Sequence, residues 1–222
     1  MTLPAWLREV VPSVNANETV LRPSGPTEQE GVRIRTGDQA QTRARAVQRG
    51  TLVHRLLQSL PDIAPGRRRD AALGYLDRHA GDWSDGDREA LGEAVLALIG
   101  DARFAAVFAP GSRAEVPIVG RLQRPGRPPA LVSGQIDRLV VTPGEVLIVD
   151  YKTNQAPPDR VEEVPKGYLR QLGLYRAVLR KLYPEHRLRA ALLWTQRPDL
   201  MEISASALDA QLALAIEGDV QA

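Results

Sequence analysis

Apolar residues recur at helical spacing through the first half of the chain and change to strand spacing near residue 113. From Gln41, the residues Val47, Leu52, Val53, Leu56, Leu57 and Leu60 recur mostly at three- and four-residue intervals, which predicts a helix that Pro61 ends. Gly50 lies inside it, at a cost of about 1 kcal/mol relative to Ala. A second helical pattern covers residues 67–78, with Leu73 and Leu76 inward. A third follows Ser84, where Ser84-Asp85-Gly86-Asp87 resembles a capping box ahead of Leu91, Val95, Leu98 and Ile99. Residues 113–119 then alternate as a strand, and residues 125–129 read as a Pro-rich loop.

Two apolar runs follow, Ser133 to Val141 and Val146 to Lys152, separated by Thr142-Pro143-Gly144-Glu145. With Pro143 and Gly144 as the turn residues, Asp137 falls opposite Asp150; a three-residue loop with a bulge would shift that register. Leu139, Val141 and Ile148 on one face, and Val140, Leu147 and Val149 on the other, predict strands buried on two sides, which limits slippage. Beyond the hairpin the pattern predicts a long helix over residues 161–182, a strand over 189–195 and another near 201–203. Ser206-Ala207-Leu208-Asp209 introduces a closing helix. The class expected is α/β, a mixed sheet with helices on its faces and a helical N-terminal half.

Residues 1–40 hold Pro4, Pro12, Pro23 and Pro26 with no sustained period and read as a linker or arm, leaving residues 41–222 as one domain. Within the arm, Trp6-Leu7 with Val10-Val11 is a short apolar segment able to dock. With 43% hydrophobic and 25% charged residues the chain is an ordinary globular sequence. No apolar run reaches membrane-spanning length and no signal peptide is evident, so a cytoplasmic location is the default expectation and no membrane partner is expected. The absence of cysteine excludes disulfides, thiolate metal sites and cysteine nucleophiles, so a metal would have to sit on oxygen or imidazole. A net charge of +2 permits a polyanionic partner without demanding one; Arg67-Arg68-Arg69 and the arginines at 187 and 189 fit either phosphate contacts or a solvated surface.

Like charges directly opposed destabilise a sheet, so Asp137 facing Asp150 calls for a cation between them. Lys152 joins their face because strand side chains alternate. Two carboxylates, with the Tyr151 carbonyl as a third oxygen, suit magnesium, and a compact ammonium beside them suits the charge of a phosphodiester under attack by water. The same residues also fit an exposed ion pair at a strand end. His54, one turn after Gly50, is either a metal ligand or a surface or core histidine, and Gly50 would admit a second backbone or a DNA strand. Glu115 is either a further acid at the site or a solvent-facing strand residue. Gln171 and Tyr175, four apart, share one helix face and could hold a phosphate, orient the lysine, or simply pack. His79 and His186 have no comparable neighbours.

Gly50-x-x-x-His54, Gly134-Gln135-Ile136-Asp137-Arg138, Val149-Asp150-Tyr151-Lys152-Thr153 and Gln171-x-x-x-Tyr175, in this order, resemble the RecB-type exonucleases of the PD-(D/E)xK nuclease superfamily. The flanking Leu21-Arg22-Pro23-Ser24 and Leu193-Trp194-Thr195 are similar to the nuclease domain of AddA-type helicase-nuclease subunits. The resemblance implies a restriction-endonuclease-like mixed sheet flanked by helices, and DNA hydrolysis with Mg2+, for which Mn2+ substitutes. It implies that His54, Asp137, Asp150 and the Tyr151 carbonyl hold the metal, that Lys152 is catalytic, that Glu115 lies near the site, and that Gln171 and Tyr175 support it or contact DNA. It further implies a role in double-strand break repair and recombination, a helicase region upstream, and partnership with an AddB-like subunit. The chain has no proline before Asp137, which many relatives also lack, and no phosphate-loop motif, so it does not itself contain the motor. A non-catalytic nuclease-like domain that binds a partner subunit or DNA, and RNA as the substrate, remain alternatives.

Overall fold

A computed structural model describes residues 19–23, 37–153 and 157–218. Its helices are α1 (Gly37–Ser59), α2 (Arg68–His79), α3 (Asp85–Gly100), α4 (Lys166–Leu182) and α5 (Ala205–Glu217). Its strands are β1 (Val20–Leu21), β2 (Arg113–Arg124), β3 (Arg127–Thr142), β4 (Glu145–Lys152), β5 (Arg187–Trp194) and β6 (Asp199–Glu202), joined in one mixed sheet of order β1-β3-β4-β5-β6. β2 runs antiparallel along one edge of β3 from Arg113↔Leu139 to Arg124↔Arg127. The other edge of β3 is shared by β1, parallel at Leu131 and Val132, and β4, antiparallel over residues 138–142. Among the described residues, 133–137 of that edge therefore have no strand partner.

The sheet is covered on both faces, as the two-sided apolar pattern of the hairpin predicts, except at Val141 beside the turn, which is 41% exposed. Leu139, Val146, Ile148, Ala190 and Leu192 meet Leu172, Tyr175, Val178 and Leu179 of α4 and Leu208 of α5. Val140, Leu147, Val149, Tyr151 and Leu193 meet Leu52, Val53, Leu56 and Leu57 of α1, with α2 and α3 behind. β4, the central strand between β3 and β5, is buried from Val146 to Tyr151. Ser84 caps α3 by accepting the Asp87 N–H at 3.1 Å. The hairpin turn is the two-residue one, with Thr142 paired to Glu145 and the register running unbroken to Arg138↔Val149.

Several elements depart from expectation for local reasons. The arm expected over residues 1–40 contributes β1, in which Leu21 is 3% exposed; two residues are too few to show a period. α1 begins at Gly37, and the apolar segment at residues 6–11 lies outside the described residues. The Pro-rich loop is a tight Pro125-Gly126 turn, Gly126 taking φ +66°, with Pro128 and Pro129 already in β3. They sit opposite a β-bulge between Leu122 and Arg124, where ladder donors are not needed. α4 starts at Lys166, not residue 161, because Pro165 holds Val164 extended at ψ 131° and confines Val161–Glu163 to a 3-10 turn. Ser204, two residues before the expected start, caps α5 through the Ala207 N–H.

The arginine clusters turn largely to structure. Arg68 bonds the carbonyls of Pro61 and Ile63, Arg69 pairs with Glu93 at 2.7 Å, and Arg189 clamps Glu145 and Glu202 across β4, β5 and β6. α5 lies close on α4 at Gly173, where an added Cβ would stand 3.0 Å from the Leu208 carbonyl oxygen. Gly173→Leu will therefore destabilise the fold by about 1–3 kcal/mol in urea unfolding. Gly66→Ala, where nothing lies within 4 Å, will stay within about 0.5 kcal/mol of the parent.

Candidate active site

The site forms where β3 and β4 part. Beyond Arg138↔Val149, β4 continues beside β5 to Lys152↔Trp194, while β3 stays with β2. The Tyr151 N–H finds a side chain in the gap and donates to Asp137 Oδ2 at 2.7 Å. A backbone donor that would otherwise be unpaired thus fixes a carboxylate. The alternation of β3 breaks here: Ile136 and Leu139, three apart, both pack in the α4 layer. Arg138 turns into the opposite layer, with its guanidinium over the Phe108 ring and its Nε donating to the Val107 carbonyl at 3.4 Å. Across from Asp137, Glu115 of β2 takes a φ of +51°. A left-handed non-glycine inside a strand stores about 1–3 kcal/mol and concentrates at functional positions.

α1 delivers His54 from the side. Its Nδ1 lies 3.5 Å from Asp137 Oδ1, and its ring meets Tyr151 edge-on at 5.5 Å. His54, Glu115 and Asp137 each present a ligand atom, all within 4.8 Å of one another. Gly50 makes this approach possible, since a Cβ there would fall 2.8 Å from Thr153 Oγ1. The close neighbour that Gly50 admits is therefore Thr153 of the same chain, where a second backbone or a DNA strand was expected. Burial lowers the His54 pKa, but the hydrogen bond and charge of Asp137, with Asp150 and Glu115, outweigh it and leave it raised. Glu115 is raised by burial and by the charge of Asp137.

Asp150 and Lys152 occupy the α4 side of the gap. Asp150 is 3% exposed and its Oδ2 forms an ion pair with Lys152 Nζ at 2.8 Å. Burial dominates its titration and, with the nearby charge of Asp137, pushes it up to about 6 against the pull of Lys152. For Lys152, burial works to lower the pKa and Asp150 overcomes it, so the ammonium is held above its ordinary value. Lys152 Nζ also donates to Gln171 Oε1 at 3.2 Å and stands 3.6 Å from the centroid of the Tyr168 ring.

Tyr175, four residues on from Gln171, is fully buried and donates its hydroxyl to the Gln135 carbonyl at 2.6 Å. Gly134 admits it: a Cβ there would meet the Tyr175 ring at 3.0 Å and Pro23 at 3.1 Å. The structure thus brings His54, Glu115 and Asp137 into one cluster, places Asp150 and Lys152 beside it as a buried pair, and sets Gln171 and Tyr175 beneath. His79 instead lies tilted over Tyr75, and His186 meets Tyr183 edge-on. Sequence reasoning passed over Tyr168, although its spacing of three from Gln171 places it on the same helix face.

An α/β sheet whose central strands split around acids, a lysine and a helix-borne imidazole is a nuclease framework. The chain belongs to the PD-(D/E)XK nuclease superfamily, which it matches over residues 28–215. It is 39% identical over 56 residues to a subunit of the ATP-dependent helicase/nuclease of Oenococcus oeni (strain ATCC BAA-331 / PSU-1), a match covering 25% of this chain and 5% of that relative. A solved chain described as the crystal structure of SSO0001 aligns at 12% identity and a TM-score of 0.31, over 63% of this chain and 67% of that one. At that score it carries no weight for the fold. Among the described residues, no helix is long and apolar enough to cross a membrane.

The donor set fits a divalent metal: hard carboxylate oxygens and one imidazole converge where like charges would otherwise repel. A carboxyl whose pKa is raised on folding binds its proton more tightly in the folded state than in the unfolded. Its contribution to stability is therefore full below the unfolded value and declines as pH rises toward the folded one. In chelator, Asp150 will cost the native protein stability between about pH 4 and pH 6, and Asp150→Asn will remove that part of the slope. Urea midpoints of the two proteins that run parallel across that range would refute the burial argument.

Proposed function

We propose that this chain is a Mg2+-dependent DNA nuclease domain, with Mn2+ able to substitute, of the kind carried by AddA-type helicase-nuclease subunits. The observation that carries this reading is the convergence of His54, Glu115 and Asp137 beside the Asp150–Lys152 pair at a strand split. His54, Asp137 and Asp150, with Glu115 and the Tyr151 carbonyl, are the residues that would hold the ion. When bound, the ion would supply Lewis-acid charge to the phosphate and lower the pKa of the water it holds.

The chain's own residues do the rest. Asp137, held by the Tyr151 N–H, keeps its carboxylate in place without reorganisation. Lys152 offsets the charge that develops on the phosphoryl oxygens and orients the attacking water, while Asp150 and Gln171 fix its ammonium. Tyr175 braces Gln135, two residues before Asp137. Hydrolysis by in-line attack of water forms no covalent enzyme intermediate.

The proposal extends to exonuclease action on DNA ends during double-strand break repair and recombination, in a complex with an upstream motor and an AddB-like subunit; of these, the similarity to part of an ATP-dependent helicase/nuclease subunit supports the association with a motor. Labelled linear DNA will be degraded with magnesium and left intact with a chelator. Lys152→Ala will lower cleavage by about a hundredfold or more while keeping the native circular dichroism spectrum. Retained cleavage in that variant would defeat the assignment. His54→Ala will weaken manganese binding by about tenfold or more in calorimetry, and unchanged affinity would remove the histidine from the donor set.

A further inference from the structure

Lys152 has a third neighbour besides Asp150 and Gln171. Its Nζ lies 3.6 Å from the centroid of the Tyr168 ring, well inside the roughly 6 Å over which an aromatic face attracts a cation. Tyr168 is 4% exposed and precedes Gln171 by three residues, so both groups project from one face of α4 onto the same ammonium. The ring is backed by Trp194, which is paired with Lys152 in the β4–β5 ladder, is fully buried, and lies 6.3 Å from Tyr168 at a 56° tilt. A ring wedged between the sheet and its own helix cannot swing away from the lysine.

The three neighbours differ in what they do to an ammonium. Asp150 supplies charge and Gln171 a directional acceptor. The ring face attracts the cation through its quadrupole, adds no further negative charge to a site already crowded with acids, and excludes water from one side of the ammonium. We infer that Tyr168 is a positioning residue whose ring face seats the Lys152 ammonium against Asp150 and keeps it turned toward the strand split. This inference rests on the reading of Lys152 as the lysine of a nuclease site.

A seat of this kind depends on ring electrostatics and not on volume, so graded fluorination of the ring separates it from simple packing. The test compares Tyr168→Phe, Tyr168→Leu, and phenylalanine analogues with one, two or three ring fluorines at position 168, on linear DNA with magnesium. Tyr168→Phe will keep kcat within about threefold of native, and Tyr168→Leu will lose about tenfold or more with KM within about twofold. Each added fluorine will lower kcat further below the Phe variant. In chelator, Tyr168→Leu and Lys152→Met will show a coupling of about fivefold or more in the unfolding constant in a double-mutant cycle.

A flat fluorine series overturns the inference, and so does a coupling within error of none. If the native protein fails to cleave, or Lys152→Ala cleaves like the native protein, it is the nuclease assignment that falls; the metal-free coupling still reports whether the ring seats the lysine.

Discussion

One hydrogen bond organises the centre of this molecule, from the Tyr151 N–H to Asp137 Oδ2. It exists because β4 must leave β3 in order to stay with β5, and the parting leaves a backbone donor at the tip of the split. A buried amide without an acceptor costs about 1–3 kcal/mol, so the carboxylate that satisfies it is held by the same demand that holds any ladder pair. The cluster of His54, Glu115 and Asp137 is therefore a consequence of sheet topology: the acid stands where the ladder ends. His54 and Glu115 then converge on a carboxylate whose position is already set.

The two faces of the sheet divide the work. The α1 layer brings the imidazole, admitted by Gly50 against Thr153, and holds Tyr151 between His54 and the core. The α4 layer brings Tyr168, Gln171 and Tyr175 along one helical stripe, the first two to Lys152 and the third to the Gln135 carbonyl. At the split, groups from both layers meet. Since α4 is itself fixed by its buried face and by α5 across Gly173, the lysine inherits the rigidity of the core.

The hairpin was the most legible part of the chain because two apolar faces limit slippage; a bulged three-residue loop would still have shifted the register, and the two-residue turn observed is what brings Asp137 toward Asp150. His54 was legible as a candidate, but its distance to Asp137 depends on how α1 packs, which periodicity does not encode. β1 was hidden because two residues carry no pattern, and the start of α4 was misplaced because apolar spacing was weighed above the restriction Pro165 imposes on Val164. Tyr168 was passed over for a different reason. An aromatic on an apolar helix face ordinarily reads as core, and only the placement of Lys152 distinguishes this ring from its buried neighbours.

Function is most visible where the chain breaks its own local rules. Glu115 adopts a left-handed backbone inside a strand, Asp137 interrupts the alternation of β3, and Asp150 buries a carboxylate whose pKa rises to about 6. Each is unfavourable, and folding alone favours none of them: a leucine at 150 would suit the buried strand better, and a relaxed residue at 115 would suit β2. All three fall around one gap between two strands, with a positively charged side chain seated among them. Departures from local consistency that cluster in this way point to selection for something other than stability, and here the cluster is shaped to gather negative charge that a divalent cation would neutralise.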